Sequence, residues 1–73
     1  MHVEKTITEI WKSSLKVDQI DKSDNFFDLG GHSLMALIIN GKINKEMGLD
    51  VPLRYYFEAK TFEEFLHRVT QLG

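Results

Sequence analysis

The sequence predicts an all-α fold, a small bundle of three main helices and one short helix, with a long loop between the first two. Three observations predict it. Apolar residues recur at helical spacing in three separate segments. Helix start and stop signals flank those segments. There is no cysteine among the 73 residues, so neither disulfides nor a zinc-thiolate site can staple the chain, and it must rely on a packed core that helices supply most simply.

The first helix is expected over Val3 to Leu15, where Val3, Ile7, Ile10, Trp11 and Leu15 share one face. Thr6 and Glu9 either form a capping box or lie inside a helix that starts earlier. Lys16 to His32 has no helical period and reads as a loop, long enough to suggest a functional one. Val17, Ile20, Phe26, Phe27 and Leu29 are expected to pin it to the core. The second helix is expected over Ser33 to Glu46, with Ser33 either its N-cap or within its first turn, and Gly48 as its stop. Asn40-Gly41 in its middle opposes helix formation. A short turn of helix is expected at Leu53 to Phe57, after Pro52. Thr61 and Glu64 form a capping box for the last helix, whose inward face is Phe62, Phe65, Leu66 and Val69. All of this fits one domain over residues 1–73, with its core at about 3–70.

Composition excludes several classes. Hydrophobic residues make up 42% and charged residues 27%, which fits a globular chain rather than a disordered one. Nine basic residues against 11 acidic ones give a net charge of −2, without the basic footprint of a nucleic-acid binder. The longest apolar run, Leu34 to Ile39, is too short to span a membrane. The absence of cysteine suits the cytoplasm, the expected location.

The informative stretch is Asp24-Asn25-Phe26-Phe27-Asp28-Leu29-Gly30-Gly31-His32-Ser33-Leu34. A serine stands where a glycine-containing loop becomes a helix. Gly30 and Gly31 remove side-chain bulk before it. A helix start favours a negative group through its free N–H donors and its dipole, so a phosphodiester on Ser33 would gain about 0.3–1 kcal/mol there. Taken alone, the serine reads as a plain N-cap.

This stretch closely resembles the attachment motif of peptidyl carrier (thiolation) domains of nonribosomal peptide synthetases, within the acyl-carrier-protein-like family. The likeness runs from Val3 to about Thr70 and includes the connector Gly48 to Leu53 and Phe57 before the last helix. It implies that Ser33, flanked by Gly31 and His32, receives 4'-phosphopantetheine covalently from coenzyme A through a phosphopantetheinyl transferase. It further implies a carrier with no catalytic residues and no metal of its own. Such a carrier holds aminoacyl or peptidyl groups as thioesters and passes them between adenylation, condensation and thioesterase domains. As an isolated domain it is expected to be monomeric. His32 favours the peptidyl kind, since fatty-acid carriers more often have Asp there. Lys60, Gly41 and Met35 depart from the family pattern without touching the serine.

Stepping about 100° per residue places Ala36, Ile39 and Ile43 on one stripe, the expected core face. Leu34, Leu37 and Ile38 form a second stripe beside Ser33. A surface helix needs one apolar stripe, so the second either docks partners or packs under the long loop. In the resembled family, partners grip this helix and the short third one, which makes Tyr56 a further docking candidate. Trp11, Phe26, Phe27, Phe57, Phe62 and Phe65 are expected in the core.

Other motifs fail on their own terms. Gly31-His32-Ser33-Leu34-Met35 lacks the second glycine of a hydrolase elbow. Neither Asp18 nor Asp21 starts a calcium loop, because the later Gly and Glu are missing. Gly41-Lys42 lacks the rest of a phosphate loop. His2, His32 and His67 read as surface histidines rather than triad members. The rival functions are an acyl carrier of a polyketide or other thioester pathway, and an unmodified helical interaction module.

Overall fold

The computed structural model describes residues 3–72. Four helices follow in order: α1 (Val3–Leu15), α2 (Ser33–Met47), α3 (Tyr55–Glu58) and α4 (Phe62–Thr70). Thr6 lies inside α1, so the Thr6/Glu9 pair is not its cap. The core forms where the expected apolar faces meet. α1 contributes Ile7 and Trp11, α2 Ala36, Ile39 and Ile43, and α4 Phe62, Phe65, Leu66 and Val69. Trp11 is the hub. Its ring lies 4.7 Å from Phe62 and 5.1 Å from both Phe26 and Phe65, centroid to centroid. Such pairs add about 0.5–1.5 kcal/mol each beyond the area they bury. Trp11 Nε1 has no oxygen or nitrogen acceptor among the described residues.

The long loop is stitched to the start of α4. Phe62 N–H donates to Asp24 O at 2.7 Å, and Glu63 N–H to Lys22 O at 3.0 Å. Glu64 N–H donates to Thr61 Oγ1 at 3.1 Å, the expected cap. Three N–H groups that a helix start leaves without intrahelical partners are thus satisfied, and the loop is held across the bundle. Asn25 completes the attachment by donating from Nδ2 to Lys60 O at 3.0 Å. Phe26 is the loop's fully buried anchor, with Ile20 and Leu29 partly buried against the core and Val17 half-buried.

Two core expectations are corrected. Phe27 and Phe57 are exposed, their rings stacked 5.7 Å apart at 28°. Neighbouring residues in an irregular segment point different ways, so burying Phe26 turns Phe27 outward. Tyr56, expected at a docking surface, is only 1% exposed and belongs to the core. The cause is where α3 starts. Leu53 and Arg54 form a turn, with Tyr55 N–H donating to Pro52 O at 3.1 Å, so the helix begins at Tyr55 and not Leu53. That phase points Tyr56 inward and Phe57 outward.

Inside, Tyr56 OH donates to Asn40 Oδ1 at 3.1 Å, and Asn40 Nδ2 donates to Val51 O at 2.9 Å. Val51 N–H in turn donates to Asn44 Oδ1 at 2.9 Å. Asn40, a poor choice for helix propensity, is thus the polar link that fastens the connector and α3 to α2. Gly41 beside it is exposed, and nothing lies within 4 Å of where its Cβ would stand. Glu58 on α3 meets Arg68 on α4 at 2.8 Å, a partly exposed pair worth little by itself.

Removing the Tyr56 hydroxyl leaves Asn40 Oδ1 buried without its donor. Tyr56→Phe is expected to cost about 1–3 kcal/mol, which lowers the melting temperature by about 4–8 °C per kcal/mol in a domain this small. Burial also pushes the Tyr56 hydroxyl well above the ordinary phenol range. The folded value exceeds the unfolded one, about 10. This stabilisation is therefore intact below about pH 10 and is lost as pH rises beyond it. Thermal melts of both proteins across alkaline pH check this: wild type should lose stability more steeply, and equal slopes would contradict the burial.

Candidate functional site

The site is built by the last residues of the loop and the first of α2. Asn25 Oδ1 accepts from Phe27 N–H at 2.8 Å and from Asp28 N–H at 3.2 Å, closing a tight turn. Leu29 N–H donates to Asn25 O, Gly30 N–H to Phe27 O and Gly31 N–H to Phe26 O, all at 3.0–3.1 Å. The two glycines serve different ends. Gly30 has φ 98°, which favours glycine, and stands in open space. Gly31 has no such angle; a Cβ there would lie 2.4 Å from the Phe26 ring. Its role is to let the backbone lie on that ring.

The N-cap of α2 is the residue just before the serine. His32 is the N-cap, with φ −153° and ψ 177°, and its Nδ1 accepts from Met35 N–H at 3.3 Å. Ser33 is the first helical residue, is exposed, and its Oγ makes no hydrogen bond to any described residue. The open choice between N-cap and first turn is thereby resolved as the latter. Sequence reasoning missed the capping role of His32, because serine ranks above histidine as a cap.

Leu34, Leu37 and Ile38 are 61%, 58% and 44% exposed. They do not pack under the loop; the loop instead crosses toward α4. Phe27, Phe57 and Leu53 are further exposed apolar side chains. Ala36, Ile39 and Ile43 are buried, as the first stripe predicts. A surface groove lies elsewhere, between α1 and α2, where Lys5, Glu9, Lys42 and Lys45 line it. His67 and His32 are exposed, and His2 lies outside the described residues. Among the described residues no group of three or more His, Cys, Asp or Glu is placed to hold a metal ion, and no helix is long and apolar enough to cross a membrane.

Comparison with known proteins agrees with this geometry. The family model described as a phosphopantetheine attachment site matches residues 5–69. Gramicidin S synthase 2 of Brevibacillus brevis is 47% identical over 62 residues, covering 85% of this chain and 1% of the synthase. Surfactin synthase subunit 1 of Bacillus subtilis (strain 168) is 45% identical over 69 residues, 89% of this chain and 2% of that subunit. The chain thus spans a very small part of these curated relatives. Among solved structures, one described as a prototype for the peptidyl carrier domains of modular peptide synthetases is similar at a TM-score of 0.76 and 34% identity, covering 96% of this chain and 92% of that one. A peptidyl carrier protein, seen in complex with the phosphopantetheine transferase Sfp and coenzyme A, gives a TM-score of 0.84 at 33% identity, covering 94% and 90%. Matched over nearly its whole length, in sequence and in helical architecture, the chain belongs to the phosphopantetheine attachment-site family and within it to the peptidyl carrier domains.

Proposed function

We propose that Ser33 carries a 4'-phosphopantetheine arm and that the chain serves nonribosomal peptide synthesis as a carrier with no catalysis of its own. The observation that carries this reading is the exposed Ser33 hydroxyl, unbonded among the described residues, at the first position of α2. The residues present fit the group. A phosphodiester on Oγ would meet the helix start, where the N–H groups of Ser33 and Leu34 have no acceptor among the described residues. Gly30 stands in open space and adds no side chain there.

When attached, the arm supplies a terminal thiol that holds an aminoacyl or peptidyl group as a thioester. The chain's own part is to tether and present. A tether raises the local concentration of its cargo at each partner without any new contact. The partners in this reading are a phosphopantetheinyl transferase and adenylation, condensation and thioesterase domains, and the setting is cytoplasmic. Leu34, Leu37 and Ile38 offer them an apolar surface on the same helix as the serine. A face this small suits weak, successive binding rather than one lasting complex.

Incubation with coenzyme A and a broad-specificity transferase tests both parts by intact mass. Wild type should gain one phosphopantetheine and Ser33→Ala none; no gain on wild type, or an equal gain on Ser33→Ala, rules the assignment out. In the same assay Leu37→Asp should raise the transferase KM by about tenfold with an unchanged melting temperature. An unchanged KM would remove Leu37 from the docking surface for this partner.

A further inference from the structure

We propose that His32 is a positioning residue for Ser33: by capping α2 through Nδ1, it holds the N-cap one residue ahead of the serine and keeps the Ser33 hydroxyl free. The inference rests on Ser33 being the modified residue.

Two adjacent residues compete for the same task. Serine is among the strongest N-caps, and histidine is not a preferred one. On local preference Ser33 would take extended backbone angles, and its Oγ would accept from the N–H three residues on, that of Ala36. The hydroxyl would then be engaged with its own backbone. The structure holds the other register. His32 has the extended angles, and its Nδ1 takes the Met35 N–H at 3.3 Å. Its carbonyl takes the Ala36 N–H at 2.8 Å. That second bond consumes the donor that Ser33 Oγ would need.

The clamp upstream brings His32 to the start of α2. Gly31 lies on the buried Phe26 ring, and its N–H is tied to Phe26 O at 3.0 Å. The chain leaves the core there with His32 next in line, and the imidazole on Met35 N–H then decides which of the two residues caps. An accepting Nδ1 also sets the tautomer. The neutral imidazole carries its proton on Nε2, on the side of the ring away from Met35. His32 thus contributes through the backbone it organises.

The test compares wild type with His32→Ala, His32→Asn and His32→Asp, each checked for folding by circular dichroism. Two quantities are read. The Ser33 Cα and Cβ chemical shifts separate a helical residue from an extended cap. The initial rate of mass gain with coenzyme A and a broad-specificity transferase reports access to the hydroxyl. Asn and Asp side chains cap helices, so these variants should keep Ser33 helical and react within about threefold of wild type. Ala cannot cap; Ser33 should take over, shift toward extended values and react about tenfold more slowly. A transferase that read the imidazole directly would slow all three alike. The proposal is overturned if Ser33 stays helical in His32→Ala, or if Asn and Asp slow the reaction as much as Ala does. If wild type gains no mass, the carrier reading fails, while the chemical shifts still decide the register.

Discussion

The contact between the Phe26 ring and the backbone of Gly31 is the constraint on which the rest depends. Phe26 is buried, edge-on to Trp11 at 5.1 Å and to Tyr56 at 5.5 Å, so it cannot move without disturbing the core. Gly31 lies so close that no side chain fits between them. The irregular segment is thus clamped to the buried aromatic cluster around Trp11 just before α2 begins. Close-packed interiors transmit displacement rather than absorb it. The place and direction in which α2 leaves the core, and with them the exposure of Ser33, follow from that clamp.

Much of this was legible in the sequence, because periodicity states which face of a long helix turns inward. α1, α2 and α4 follow their apolar spacing, and the Thr61 cap follows its motif. The exposure of Leu34, Leu37 and Ile38 follows from a helix bearing one apolar stripe more than its core needs. What escaped was set by phase or by tertiary packing. α3 has a single turn, so its inward residue depends wholly on where it starts, and the turn at Pro52 delays that start until Tyr55. Tyr56 and Phe57 exchange places as a result. Phe26 and Phe27 stand in a segment without period, and only the three-dimensional clamp shows which is inside. His32 as a cap contradicts local preference, and Asn40 as a structural link contradicts helix propensity; in both cases packing outweighs propensity.

The two ends of α2 are built for different tasks. Its C-terminal half is fixed by Ile43, Asn40 and Asn44 to the core, the connector and α3. Its N-terminal half presents a hydroxyl and three exposed apolar side chains. The proposed carrier role uses both: a rigid mount that presents the serine in one geometry, and an apolar face left uncovered beside it. The polar network that buries Tyr56 also orients Phe57, so the mount and the face are parts of one arrangement.

The most direct measurement of the clamp is amide hydrogen exchange on Gly31→Ala, alongside its rate of phosphopantetheine transfer. Forcing a Cβ against the Phe26 ring should cost about 1–3 kcal/mol. Protection should fall in residues 24–36 and at the Phe62 amide bonded to Asp24, while the amides of α1 and of the later part of α4 keep theirs, and transfer to Ser33 should slow in step. Wild-type protection around the loop together with wild-type transfer would contradict the account, since the hydroxyl would then be presented without the clamp.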